Sequence, residues 1–173
     1  MKKLILLRHA KSSWDDPALD DHDRPLNQRG RRAAPIIGAW LAANDHVPEL
    51  ILCSSSLRTR QTVCRLRKSI ADLPAPVIEP DLYHATPTRM LDCLKSQPVS
   101  IQTVMVVGHQ PGIGSLAHKL SDGTETESCR RAFQHFPTAA AAVFCFKGQK
   151  WSDLRYESAQ FVDYAVPREL KDA

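Results

Sequence analysis

The sequence predicts an α/β fold, a mainly parallel sheet covered by helices on both faces. Short continuous aliphatic runs at 3–7, 49–53 and 103–108 read as strands buried on both sides. Segments with apolar residues at helical spacing separate these runs. At 173 residues the chain is long enough for one domain, residues 1–173, with a sizeable core.

The elements follow in order. The run 3–7 ends at Arg8-His9. "SSWDDPALDDHDRPLN", residues 12–27, is too polar and too rich in Asp and Pro for a core element. A loop of that length within a domain is functional or mobile. Asn27 then caps a helix whose apolar face is Ile36, Ile37, Trp40 and Leu41. Gly30, Pro35 and Gly38 predict a kink or a late start there. "ELILC", 49–53, is the second strand. "SSLRTRQTVCRLRKSIADL" is a helix capped by Ser55 or Ser56, with Val63, Leu66 and Ile70 on one face. "APVIEP" is a short strand. Thr88 is expected to cap a helix carrying Met90, Leu91 and Leu94 and ending before Pro98. "TVMVVG", 103–108, is the third aliphatic strand. "PGIGSLAHKLS" is a helix with Ile113, Leu116, Ala117 and Leu120 at helical spacing. "AAAAVFCFK" and "DLRYESA" read as two late strands, adjacent and antiparallel.

Composition narrows the class. Hydrophobic residues make up 43% and charged residues 24%, a globular balance. No run approaches a membrane span, and Lys2 and Lys3 precede too few apolar residues for a secretory signal. The expectation is a cytoplasmic protein with no membrane partner. Five cysteines form no C-x-x-C pair, which predicts reduced, mostly packed thiols. The net charge is +4, with clusters at Arg29, Arg31, Arg32 and at Arg65, Arg67, Lys68. No aromatics interleave with these clusters, so nucleic acid is not the expected partner. The plain reading is two solvated helix faces, and such a surface would also suit an anionic substrate or an acidic protein.

In an open α/β sheet, ligands bind beyond the carboxyl ends of the strands. Here those ends carry Arg8-His9, then Ser54 to Ser56 with Arg58, then Gly108-His109. Two arginines at helix starts can hold a phosphoryl group through paired hydrogen bonds. A neutral imidazole beside them can attack phosphorus, and a second histidine, if protonated, can stabilise the equatorial oxygens. The guanidiniums supply the neutralising charge, so no metal and no cofactor is expected. "DDHD", 20–23, lacks further ligands at a metal-site spacing. "GHQPGIG" matches neither a dinucleotide fingerprint nor a P-loop. His22, His46, His84, His118 and His135 read as surface or structural.

The motifs "LLRHAKS", "DRPLNQRGRRAA", "LILCSSSLRTRQT", "LYHATPTRML" and "VMVVGHQPGI" together resemble the histidine phosphatase superfamily, in its SixA-type phosphohistidine phosphatase branch. The resemblance spans roughly residues 3 to 147. It implies a phosphoglycerate mutase-like three-layer α/β/α sandwich, its mixed sheet mostly parallel with one antiparallel strand. It implies His9 as the phosphorylated nucleophile and Arg8, Arg58 and His109 as the other catalytic pocket residues. Arg24, in "DRPL", corresponds to a further phosphate-binding arginine of that branch. The implied activity is a metal-independent phosphatase acting on protein phosphohistidine in signal transduction. Alternatives are a phosphatase for a small phosphate ester and a non-catalytic phosphate-binding module. Larger members carry an acidic proton donor in a glycine- and tryptophan-rich context that "EPDLYHATPT" lacks. Asp15, Asp20, Asp21, Asp23, Glu79 and Asp81 are the candidate donors in its place.

Overall fold

The computed structural model describes residues 1–170. Its strands are β1 (Lys2–Arg8), β2 (Leu50–Ser54), β3 (Val77–Glu79), β4 (Thr103–Gly108), β5 (Ala141–Phe146) and β6 (Gln160–Ala165). They form one sheet in the order β3-β2-β4-β1-β5-β6. The pairs β3–β2, β2–β4 and β4–β1 are parallel, whereas β5 runs antiparallel to both β1 and β6. One antiparallel strand in a mostly parallel sheet is the arrangement the motifs imply.

The aliphatic runs show no alternation because both faces are covered. Leu4, Leu6, Val104 and Val106 pack with α3 (Pro87–Lys95) and α4 (Gly112–Leu120). Ile5, Leu7, Met105 and Val107 pack with α1 (Gln28–Ala43) and α2 (Leu57–Leu66). The side-chain period of two thus splits each run between two cores. Two short helices, α5 (Glu127–Arg130) and α6 (Pro167–Leu170), complete the layers.

The chain leaves β1 toward α1 on one face and β4 toward α4 on the other. The neighbouring strands β1 and β4 therefore part at their carboxyl ends, and an open sheet has its crevice at such a point.

Four local expectations need correction. The first helix starts at once after its Asn27 cap and runs through Pro35. Its glycines are explained by close packing: a Cβ at Gly30 would lie 2.1 Å from Lys11 O, and one at Gly38 would lie 3.2 Å from the Ser69 Cβ. The second helix, capped by Ser56, stops at Leu66 instead of running to Leu73. Thr86, not Thr88, caps α3 by accepting from the Arg89 N–H, with Pro87 in the first turn. The last strand is "QFVDYA", after the expected "DLRYESA". That segment holds part of a 3-10 turn and a turn at Tyr156 and Glu157, where the Glu157 φ is 59°. All five cysteines are free, with Cys53 and Cys129 buried.

Candidate active site

Strands β1, β2 and β4 end together at one sheet edge. In the parallel register Arg8 lies opposite Gly108, and Cys53 lies opposite Val107. The next residues, His9, Ser54 and His109, therefore meet. The His9 N–H donates to Gly108 O at 3.1 Å, and the two imidazole centroids are 5.3 Å apart. The Ser56 cap places Arg58 in the first turn of α2. Arg24 comes from the 12–27 loop, whose ends are tied together where Ser13 N–H donates to Pro25 O at 2.8 Å. Arg8, His9, Arg24, Arg58 and His109 all line one cavity of about 230 Å³. A larger recess of about 590 Å³, beside His118, Lys119 and Tyr156, has neither the strand-end histidines nor the buried arginines.

Hydrogen bonding fixes the state of each imidazole. The His9 Nδ1 lies 2.7 Å from Ala10 O. A carbonyl only accepts, so Nδ1 carries the proton and Nε2 keeps its lone pair. Burial lowers the His9 pKa to about 3, helped by the charges of Arg58, Arg8 and Arg24 and opposed by the Ala10 hydrogen bond. His9 is thus neutral near pH 7. At His109, Arg58 Nη2 donates to Nδ1 at 3.3 Å, so Nε2–H donates to Ser54 Oγ at 2.8 Å. Burial first, then the neighbouring His9 imidazole, the Arg58 charge and the His84 imidazole, lowers the His109 pKa to about 3 as well. The second histidine is therefore neutral near pH 7, not protonated.

The arginines converge on Asp21. Arg24 donates to Asp21 Oδ1 through Nε at 3.2 Å and Nη2 at 3.1 Å. Arg58 donates to Oδ2 through Nη2 at 3.0 Å and to the Asp21 carbonyl through Nη1 at 2.7 Å. Tyr83 Oη also donates to Oδ2, and His84 Nε2 lies 3.2 Å from it. Desolvation pushes the Asp21 carboxyl up. Hydrogen bonds from Tyr83, Arg58 and Arg24, with the Arg58 charge, outweigh it and hold the carboxyl far below the usual range. Arg8 Nη1 donates to Phe136 O at 3.0 Å. The buried Nε–H groups of Arg8 and Arg58 have no acceptor among the described residues. The arrangement combines an unprotonated imidazole nitrogen with three guanidiniums, a setting for nucleophilic attack on an oxyanionic centre.

A model of the histidine phosphatase superfamily (branch 1) matches residues 4–86. An uncharacterized protein of Mycobacterium tuberculosis is 38% identical over 164 residues, covering 94% of this chain and 100% of the relative. The chain belongs to the histidine phosphatase superfamily. Its fold is similar to that of a protein provisionally named phosphohistidine phosphatase SixA from Nakamurella multipartitia. That match has a TM-score of 0.83 and 28% identity, covering 96% of each chain. A protein from Agrobacterium tumefaciens, likewise provisionally named SixA, has a TM-score of 0.78 and 28% identity, covering 96% of this chain and 98% of that one.

In this histidine phosphatase, all five residues picked from the sequence share one cavity. Of the six candidate acids only Asp21 lines it. Asp81 instead faces Arg89 at 3.9 Å, and Asp23 faces His22 at 3.5 Å. Two histidines read as surface or structural belong to the site's surroundings. His84 lines the cavity at a left-handed φ of 54°, and His22 Nε2 lies 2.9 Å from Ser55 Oγ. The sequence did hold a signal for His84. It follows the end of β3, which opens on the same sheet edge.

Proposed function

We propose that this phosphatase removes the phosphoryl group from protein phosphohistidine through a phosphohistidine intermediate on His9. The observation that carries the reading is the pairing of a neutral His9, its Nε2 unprotonated, with a site whose one lining carboxyl among the described residues, Asp21, is held in its ionised form. In the first step the lone pair of His9 Nε2 forms a bond to phosphorus, and the bond from phosphorus to the substrate nitrogen breaks. The substrate imidazole, carrying a proton on its other nitrogen, departs neutral. Water then attacks the phosphoryl group, releasing inorganic phosphate and restoring the His9 lone pair. Arg8, Arg24 and Arg58 hold the phosphoryl oxygens, and His109 Nδ1 can take a proton as negative charge enters the pocket.

The leaving group is what selects the substrate. An alkoxide needs a proton donor, worth about 10²–10⁴-fold in rate. Asp21 has no proton to give. An imidazole, whose conjugate acid has a pKa near about 6.5, leaves with little help. The family fold and the likeness to SixA-type proteins support the same reading.

The test compares kcat/KM for a phosphohistidine peptide, an aryl phosphate and a matched phosphoserine peptide. The phosphohistidine peptide should be the best substrate and phosphoserine the worst. Phosphoserine ranking first, with one acidic residue essential for it, would overturn the assignment. His9→Ala should abolish turnover of all three.

A further inference from the structure

We infer that the paired helices α1 and α2 form a docking surface for an acidic protein, continuous with the active site. The inference rests on the proposed protein substrate and names the surface that would receive it.

Both helices begin at the site. Asn27, the cap of α1, donates its N–H to Lys11 O at 3.0 Å, and Lys11 lines the cavity. Ser56, the cap of α2, lies two residues before Arg58. Gln61 Oε1 accepts from Leu26 N–H at 2.8 Å and ties the two starts together. Ten residues on, Gly38 packs against Leu66 and Ser69, so the helices run outward side by side.

Their charge is one-sided. Segments 28–43 and 55–70 contain no Asp or Glu. Arg29, Arg32 and Lys68 are exposed and Arg65 half-buried; among the described residues none of their side chains has a hydrogen bond or ion pair. The exposed Arg–carboxylate pairs lie on other elements, at Arg89–Asp81, Arg130–Glu127 and Arg131–Glu169. Uncompensated cations on neighbouring helices raise the local potential and steer an acidic partner.

Size and chemistry narrow the partner. Arg65 is seven residues beyond Arg58, about 10 Å farther along the helix at ~1.5 Å per residue. A small phosphate ester held at Arg58 cannot span that distance, whereas a protein surface can. The one aromatic on α1 and α2, Trp40, is half-buried with its ring centroid 5.5 Å from that of His46, so the exposed stacking platform that single-stranded nucleic acid uses is missing there. Trp14 stands at the cavity mouth, 71% exposed, with the Arg24 guanidinium 3.6 Å from its ring centroid. An exposed indole stacked against an arginine at the site suits a protein interface, where Trp and Arg dominate binding.

The experiment uses the full chain and two phosphohistidine peptides, one with Glu-rich flanks and one with Gln-rich flanks. Wild type should favour the Glu-rich peptide by about tenfold or more in kcat/KM at low salt, mainly through KM, and lose that preference at high salt. The variant Arg29→Gln/Arg32→Gln/Arg65→Gln/Lys68→Gln should handle both peptides equally and keep its aryl phosphate turnover. A second variant with Glu at the same four positions should favour the Gln-rich peptide. Equal use of both peptides by wild type, or a preference that survives in the Gln variant, overturns the docking surface.

Binding of a dye-labelled, unphosphorylated Glu-rich peptide, read by anisotropy, separates this inference from the substrate assignment. If phosphohistidine is not cleaved but the labelled peptide binds wild type at least fivefold tighter than the Gln variant, the surface stands and the substrate reading falls. If single-stranded DNA binds tighter than the acidic peptide, the partner is nucleic acid and the inference fails.

Discussion

Acidification should unfold this protein through its two buried cavity histidines, His9 and His109. Burial, first of all, lowers His9 and His109 to about 3, against 6.5 for an exposed histidine. Between these values the unfolded chain binds a proton at each position and the folded chain does not. The stability that each neutral histidine contributes is therefore complete above about pH 6.5 and is lost as pH falls toward about pH 3. At pH 5 the protonation ratio gives about 2 kcal/mol for each histidine, or about 4 kcal/mol for the pair. At pH 7.5 the same expression gives almost nothing for the pair. Urea denaturation at pH 7.5 and pH 5.0 measures the loss, in wild type and in His9→Gln/His109→Gln. Wild type should lose about 4 kcal/mol more than the double variant between these pH values. The Asp21 carboxyl cancels from the comparison, because it stays ionised in both proteins over this range. Parallel losses would show that these imidazoles are not held neutral by burial, and the nucleophile argument built on His9 would go with them.

Three further outcomes follow from named contacts. Asp21→Asn should tighten competitive inhibition by inorganic phosphate about 5- to 30-fold while lowering the urea midpoint, because Arg24 and Arg58 lose their internal anion; weaker phosphate binding would refute the competition. Gly30→Ala should cost about 1–3 kcal/mol in urea denaturation, since its Cβ would meet the Lys11 carbonyl oxygen at 2.1 Å and backbone cannot yield as a side chain can. Ser54→Ala should cost about 1–3 kcal/mol by leaving the His109 Nε2–H buried without an acceptor, and a neutral result would place that proton on Nδ1.

The sheet was legible because its strands are aliphatic runs with helical segments between them. The pocket was legible because His9, Arg58 and His109 follow three of those runs. What the sequence concealed depends on contacts remote along the chain. Asp21 sat in a polar loop among four neighbouring acids, and nothing local distinguishes it from Asp20 or Asp23. Its role comes from Arg58, 37 residues away, and Tyr83, 62 residues away. His84 looked solitary because its partners Asp21 and His109 come from other elements. The last strand was misplaced for a different reason. "QFVDYA" alternates buried and exposed positions only in part, as expected at a sheet edge, and it carries an Asp. Thr86, and not the expected Thr88, caps α3 because Pro87 suits the first turn of a helix and so lets the helix begin earlier.

The Asp21 cluster also explains how the pocket tolerates its charge. Arg8, Arg24 and Arg58 are gathered around two buried neutral histidines, and the Arg58 charge, after burial itself, lowers the Arg8 pKa. Like charges collected away from water are costly unless an anion joins them. Asp21 supplies that anion, but only in part. Its side chain is 41% exposed, it lies on the 12–27 loop, and among the described residues the Nε–H groups of Arg8 and Arg58 find no acceptor. A carboxylate offers two oxygens and one charge, whereas a phosphoryl dianion offers three oxygens and nearly two charges. The pocket is thus better matched to phosphoryl than to its own aspartate, and the difference between them is what is left to bind substrate. A monoanionic carboxylate ligand would only replace Asp21 with its equal, so the proposed preference for phosphoryl groups follows from the same charge balance that Asp21 provides within the folded chain.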